Sequence, residues 1–118
     1  MRANELRIGN IVEYLVHDEL ANPKSEWVEN VVDLDDLRAI ETSENYRPAK
    51  LTKDWMLRCG FKCRFVLDGH AWMHDKLLIF ESNKGKFELS YGMAIDSVHQ
   101  LQNIYHAFHG EELTYTQP

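Results

Sequence analysis

The amino-acid sequence predicts an α+β fold: an antiparallel β-meander covered by two capped helices, with a β-rich segment before it. Two stretches show the 3.6-residue period of amphipathic helices, and the region between them alternates with a period of two. The length of 118 residues fits a single domain. We expect an acidic N-terminal lobe over residues 1–47 and a helix–meander–helix core over residues 48–118.

The N-terminal lobe is rich in residues that favour strands. A turn at residues 9–10 leads into a predicted strand, a loop at residues 22–25 breaks the pattern, and residues 27–32 predict a partner strand. An SH3-like arrangement is an alternative for this segment. Residues 33–41 carry apolar side chains at a spacing of three, which indicates a short helix, and a connecting loop is expected over residues 41–50.

The core begins with a helix whose two ends are both marked in the sequence. Thr52 is the expected N-cap, and Leu51 before it can pack on Met56 as a hydrophobic staple. Gly60 is placed to end the helix, with Phe61 folding back onto Met56 in a Schellman motif.

After this helix the period changes to two, which predicts strands. The residue pair 68–69 (Asp-Gly) predicts a hairpin turn, followed by strands over residues 70–74 and 77–81. The first strand is expected to bury one face, formed by Phe61, Cys63, Phe65 and Leu67. A turn at residues 84–85 then leads into a last strand with one apolar face, formed by Phe87, Leu89 and Tyr91.

The C-terminal helix has a start signal, an apolar face and a stop signal. Ser97 and Gln100 predict a capping box, and Gly110 is placed as the left-handed residue that ends the helix. The helix is expected to close the core, and residues 114–118 are expected to fray. Its predicted apolar face consists of Val98, Leu101, Ile104, Tyr105 and Phe108.

Three blocks of sequence carry a resemblance to a known family. They are residues 5–12 (ELRIGNIV), residues 51–61 (LTKDWMLRCGF), and residues 98–105 with 110–113 (VHQLQNIY and GEEL). Together they resemble a family of small uncharacterised proteins from Bacteroides-type gut bacteria and their phages or prophages. The resemblance implies a bacterial or phage origin, and it implies no activity, cofactor or functional residue.

The net charge of −6 is unevenly distributed. Residues 1–12 carry +1, residues 13–47 carry −7, and residues 48–118 are neutral. Binding to phosphate requires a basic surface, so neither direct nucleic-acid binding nor attachment to an anionic membrane is expected. The start of the chain lacks a signal-peptide pattern, and the longest apolar run, residues 77–80, is too short to span a bilayer. A cytoplasmic protein is the expectation.

The two cysteines and six histidines do not form a recognisable site. Cys59 and Cys63 are expected to be reduced, buried thiols, since two cysteines make no disulfide framework and lack zinc-site spacing. The histidines are expected to be solvated and not to bind a metal ion. On a strand, His70 and His74 lie about 13 Å apart at about 3.3 Å per residue, which is too far for both to bind one ion. No catalytic group, cofactor or metal ligand is therefore assigned. A recognition surface formed by His70, Trp72 and His74 is an alternative to half-buried sheet packing.

The leading functional hypothesis is a non-enzymatic accessory or interaction protein of a bacterial or phage system. It would contact a basic protein partner through acidic residues. An enzyme or enzyme subunit that uses the histidines to bind a metal is one alternative, and an acidic DNA-mimic inhibitor is another. The sequence does not indicate the oligomeric state. The candidate partner-binding residues, named here the acidic surface, are Asp33, Asp35, Asp36, Glu41 and Glu44.

Overall fold

The fold is α+β with two antiparallel sheets, as the sequence predicts. The structure is a computed structural model, and it describes residues 1–17, 25–90 and 92–117. The chain divides into two compact units, Met1–Ala49 and Lys50–Pro118. This division falls two residues after the boundary expected between lobe and core, and the prediction that the chain is a single domain stays a prediction.

The N-terminal unit contains a three-stranded sheet in the order β2-β1-β3. The prediction of a connecting loop over residues 41–50 was wrong in part, since β3 lies within it and pairs with β1. Local sequence did not reveal this strand because its partner is about 34 residues away. Residues 22–24 of the predicted loop lie outside the described residues. The elements of this unit are a 3₁₀ helix (Ala3–Glu5), β1 (Ile11–His17), β2 (Ser25–Val31), α1 (Leu34–Ala39) and β3 (Tyr46–Pro48).

A small apolar core holds the N-terminal unit together. Leu6, Val12, Val32 and Ile40 are buried in it, and Tyr46 is one of the half-buried side chains that pack against them. Residues from β1, β3, the end of β2 and the end of α1 therefore meet at one point, which fixes α1 against the sheet.

The C-terminal unit contains a five-stranded antiparallel meander in sequence order, with a helix before it and a helix after it. The last strand of the meander was not predicted, and Tyr91 of the predicted apolar face lies outside the described residues. The elements are α2 (Lys53–Arg58), β4 (Lys62–Val66), β5 (Gly69–His74), β6 (Leu77–Ser82), β7 (Phe87–Leu89), β8 (Ala94–Ile95) and α3 (Val98–His109).

The helix α2 ends in the Schellman motif that the sequence predicts. The Thr52 hydroxyl accepts a hydrogen bond of 3.3 Å from the Trp55 N–H at the start of the helix. At the other end, the N–H of Gly60 donates to the carbonyl of Leu57, and the N–H of Phe61 donates to the carbonyl of Met56, each at 3.0 Å. Both ends of α2 are thus fixed by residues close in sequence.

The helix α3 has the predicted capping box and ends at Gly110, whose φ is 71°. Its buried face is rotated from the predicted one. Val98, Leu101, Gln102 and Tyr105 are buried, whereas Phe108 is 63% exposed. Phe108 lies about 80° from Val98 around the helix, at about 100° per residue, so it stands beside the buried face.

Two predictions about the C-terminal unit's surface were also wrong. All five residues of β4 are exposed, so neither face of the strand is buried and Cys63 is an exposed thiol. Of the predicted face, only Phe61, which precedes β4, is buried. The C-terminal segment does not fray at Thr116, because its N–H donates to the Arg58 carbonyl at 2.9 Å and its carbonyl accepts from Arg58 Nε at 2.8 Å.

The start of β5 approaches β6 closely. Gly69 pairs with Ser82, and a Cβ atom at Gly69 would overlap the backbone carbonyl of Glu81. The turn between β4 and β5 is Leu67-Asp68, one residue earlier than the predicted Asp68-Gly69, and Gly69 begins β5. The hairpin depends on the missing side chain at this position.

Candidate functional site

Three of the five residues of the acidic surface lie at the start of α1. Asp33 is the N-cap: its Oδ1 accepts a hydrogen bond of 2.9 Å from the N–H of Asp36. In return, Oδ2 of Asp36 accepts one of 3.0 Å from the N–H of Asp33. These two carboxylates form a capping box, and their negative charge also suits the positive end of the helix.

Asp36 also connects α1 to the sheet. Its Oδ1 accepts a hydrogen bond of 2.7 Å from the Tyr46 hydroxyl, and its Oδ2 accepts one of 3.2 Å from Asn30. Burial by itself would raise the pKa of Asp36, but the hydrogen bonds from Asp33, Tyr46 and Asn30 together lower it. Burial and the bond to Asp36 raise the pKa of Tyr46 to about 12. Asp36 is therefore a charged structural residue.

The remaining residues of the acidic surface differ in their hydrogen bonds and exposure. Glu41 accepts a hydrogen bond of 3.1 Å from the N–H of Ala3, which ties the end of α1 to the start of the chain. Asp35 and Glu44 are exposed. The structure thus places Asp33, Asp35 and Asp36 together at the start of α1, whereas Glu41 and Glu44 follow the helix.

Exposed aliphatic side chains, which the sequence did not predict, lie next to these carboxylates. Val31 is 52% exposed and Leu34 is 53% exposed, on either side of Asp33 in the chain. A backbone hydrogen bond of 2.8 Å from Gly9 to Val32 brings the turn with Ile8, itself 60% exposed, to the same segment. The only feature of the sequence that indicated an exposed aliphatic side chain here was the position of Leu34 between two acidic residues.

A second cluster of chemically capable residues surrounds Tyr105 in the C-terminal unit. Its hydroxyl donates a hydrogen bond of 2.9 Å to Oδ2 of Asp75, and its ring stacks on His109 with 4.2 Å between the ring centres. His74 lies 5.2 Å from the same ring, and its Nδ1 lies 3.6 Å from Oδ2 of Asp75. An open cavity of about 960 Å³ adjoins this cluster, and its lining includes Asp75, Leu77, Leu89, Phe108 and His109.

The chemistry of this cluster is that of a fixed hydrogen-bond donor. Burial, together with the bond to Asp75, raises the pKa of Tyr105. Asp75 adopts a φ of 51°, which is uncommon for a residue other than glycine. Sequence reasoning missed the cluster because His74 and His109 are far apart in the chain. Within the described residues, no group of three or more His, Cys, Asp or Glu side chains is arranged to hold a metal ion.

One histidine differs from expectation, whereas Trp72 packs in the sheet as the favoured interpretation has it. His99 is buried, so the prediction that it is solvated was wrong. Trp72 is only 3% exposed and donates a hydrogen bond of 3.0 Å to Oε1 of Glu81, a buried carboxylate. Lys53 and His70 lie 3.8 and 3.9 Å from that carboxylate. Trp72 therefore belongs to the core, which argues against the recognition-surface alternative.

In the part of the chain that the structure describes, no helix is long and apolar enough to cross a membrane. Comparisons with protein-family models, with curated proteins and with solved structures found no match to this chain.

Proposed function

We propose that the protein is a non-enzymatic interaction protein of a bacterial or phage system, related to the small proteins that its sequence blocks resemble. In this proposal it works in the cytoplasm and binds a basic protein through the acidic surface. The observation that carries the proposal is the position of Val31 and Leu34, both about half exposed, on either side of Asp33.

A surface that only keeps a protein soluble needs charge and no exposed aliphatic side chains. Interfaces between proteins combine apolar contacts with a polar rim, and burying apolar area is favourable. The stretch from residue 25 to residue 46 carries seven acidic side chains and one basic side chain. A basic protein with apolar residues among its cations is the partner that fits this combination.

The experiment compares two basic helical peptides of equal length and charge, one with Lys and Leu and the other with Lys and Ser. We expect the Lys/Leu peptide to bind more tightly. The double variant Asp35→Lys/Glu44→Lys should weaken both peptides, and Leu34→Ser should weaken only the Lys/Leu peptide. Asp33 and Asp36 are left unchanged, because replacing them with lysine would remove the capping box. A loss of binding could then not be distinguished from a loss of folding.

The control is the double variant Glu88→Lys/Glu111→Lys, which makes the same charge change at exposed positions of the C-terminal unit. It should leave both affinities unchanged. Equal binding of the two peptides would mean that only charge matters, which is what the DNA-mimic alternative requires, and the proposal would then be wrong. The same holds if the control variant weakens binding as much as Asp35→Lys/Glu44→Lys.

A further inference from the structure

Within the described residues, β4 is one of the two edge strands of the meander, and all five of its residues are exposed. A strand at the edge of a sheet presents backbone N–H and C=O groups that can pair with another strand. Two apolar side chains at or just after its end are almost fully exposed: Phe65 at 87% and Leu67 at 100%. An edge of this kind is the usual site for binding an extended segment by strand addition.

The two faces of β4 differ in chemistry. Directly paired residues of an antiparallel sheet share a face. Lys62 therefore shares a face with its partner Met73, and Arg64 shares the same face with Ala71. This face forms a groove of about 680 Å³ whose lining residues include those four and Leu78. The groove thus has apolar residues along its floor and two cations on the edge strand, and its lining also includes His74 and Asp75.

The opposite face of β4 carries Cys63 and Phe65. Phe65 lies 4.9 Å from the ring of its strand partner His70. An added strand would therefore meet cations on one face and an exposed thiol and aromatic ring on the other. Among the described residues, neither Lys62 nor Arg64 forms an ion pair with a carboxylate.

A second copy of this chain fits the edge poorly. Antiparallel pairing of β4 with itself about a two-fold axis places residues of the same face opposite each other. An axis at Cys63 sets Lys62 against Arg64, and an axis at Arg64 sets that residue against its own copy. Like charges directly opposite are destabilising. An axis at Phe65 avoids this repulsion, but it pairs only residues 64–66 of β4 with each other, because Lys62 then lies against Asp68 in the turn beyond the strand.

We propose that the edge of β4 binds an extended acidic segment of another protein by strand addition. Lys62 and Arg64 are two residues apart, roughly 6.6 Å along the strand at about 3.3 Å per residue. Carboxylates on alternate residues of an added strand have the same spacing. The segment therefore alternates acidic residues, which face these cations, with apolar residues, which cover Cys63 and Phe65.

The test uses a short fluorescent peptide that alternates Glu and Val, and a matched peptide that alternates Lys and Val. We expect the Glu/Val peptide to bind and to weaken as salt is raised. In the double variant Lys62→Glu/Arg64→Glu its affinity should fall by at least about tenfold, and the Lys/Val peptide should bind instead. The control Lys76→Glu/Lys84→Glu changes the charge equally at exposed turns, and it should bind the Glu/Val peptide as the wild type does.

Strand addition also has a backbone signature. Methylating the backbone nitrogens of one alternate set of residues in the Glu/Val peptide should abolish binding, while methylating the other set should not, because only one set faces β4. Absence of binding, an equal effect of the two methylated sets, or dimerisation of the protein through β4 in sedimentation would each overturn the proposal. Because this site lies in the C-terminal unit, its failure leaves the proposal for the acidic surface standing.

Discussion

The hydroxyl of Tyr46 donates a hydrogen bond of 2.7 Å to Oδ1 of Asp36, ten residues earlier in the chain. The same carboxylate closes the capping box of α1 through its other oxygen. One side chain therefore fixes the start of the helix and joins it to β3. The acidic surface is consequently held in a defined position, since its central carboxylate has a structural partner on each side.

Replacing Asp36 should destabilise the protein, and replacing Asp35 should not. Asp36→Ala removes half of the capping box and leaves the Tyr46 hydroxyl without its acceptor, so the free energy of unfolding should fall by about 1–3 kcal/mol. Asp35→Ala, at an exposed position, should stay within about 0.5 kcal/mol of the wild type. Urea unfolding measures both values, and equal losses would contradict the roles assigned to the two residues.

Tyr46 should make stability depend on alkaline pH. Its pKa is about 12 in the folded protein, against an ordinary value of 10.0. Because the folded value is higher, the contribution of Tyr46 is complete below pH 10.0 and is lost as the pH rises towards about 12. Tyr46→Phe should remove this part of the alkaline loss, measured as the unfolding free energy across that range. An unchanged pH profile in the variant would refute the assignment.

The face of α3 can be tested with two substitutions of large apolar residues. Leu101 is fully buried, so Leu101→Ala should cost roughly 2–5 kcal/mol of stability. Phe108 is mostly exposed, and Phe108→Ala should change stability by no more than about 0.5 kcal/mol. Thermal and chemical unfolding of both variants gives the comparison. A large loss of stability from Phe108→Ala would mean that the apolar face predicted from the sequence, which includes Phe108, is the buried one.

The two cysteines should react at different rates with a maleimide reagent. Cys63 is exposed, whereas burial raises the pKa of Cys59 to about 12 and leaves little of the reactive thiolate. Mass spectrometry of the native protein should show modification of Cys63 alone, and denaturant should expose Cys59 as well. Cys63→Ser serves as the control and should stay unmodified until it is unfolded.

What the sequence predicted well were features decided by neighbouring residues. Thr52, Ser97, Gly60 and Gly110 mark helix ends because the hydrogen bonds of a cap join residues only three to five apart. The hairpin between β4 and β5 is local in the same way, although its turn lies one residue earlier than predicted, at Leu67-Asp68. These signals gave the order of the helices and most strands of the meander without any knowledge of the tertiary structure.

What the sequence did not predict depends on residues far away in the chain. The alternation of β4 is the same whether a neighbouring element covers the strand or not, so exposure of Phe65 and Cys63 was not visible in it. Likewise, the face of α3 was misjudged at His99 and Phe108, because the position of the helix against its neighbours decides which side chains are covered.

The candidate site likewise combines a feature that the sequence predicted with contacts that it did not, because those contacts join residues far apart in the chain. The negative charge of residues 13–47 was evident from composition, but the separation of Asp36 from Asp35 was not. Tyr46 and Asn30 reach Asp36 only after the sheet has formed, and the cluster of His74, Asp75 and His109 around Tyr105 likewise forms only in the folded chain.

The close approach of Gly69 to the carbonyl of Glu81 has a consequence for how this protein can evolve. Every amino acid other than glycine carries a Cβ, so each possible replacement at position 69 meets the same obstacle. At Gly85 no atom lies near the position of a Cβ, so the obstacle there is backbone conformation alone, which asparagine and aspartate tolerate best. In a saturation mutagenesis library selected for folded protein, position 69 should keep glycine alone, whereas position 85 should also accept asparagine and aspartate. Related sequences with this fold would then keep glycine at the start of β5, while the turn between β6 and β7 tolerates a few other residues.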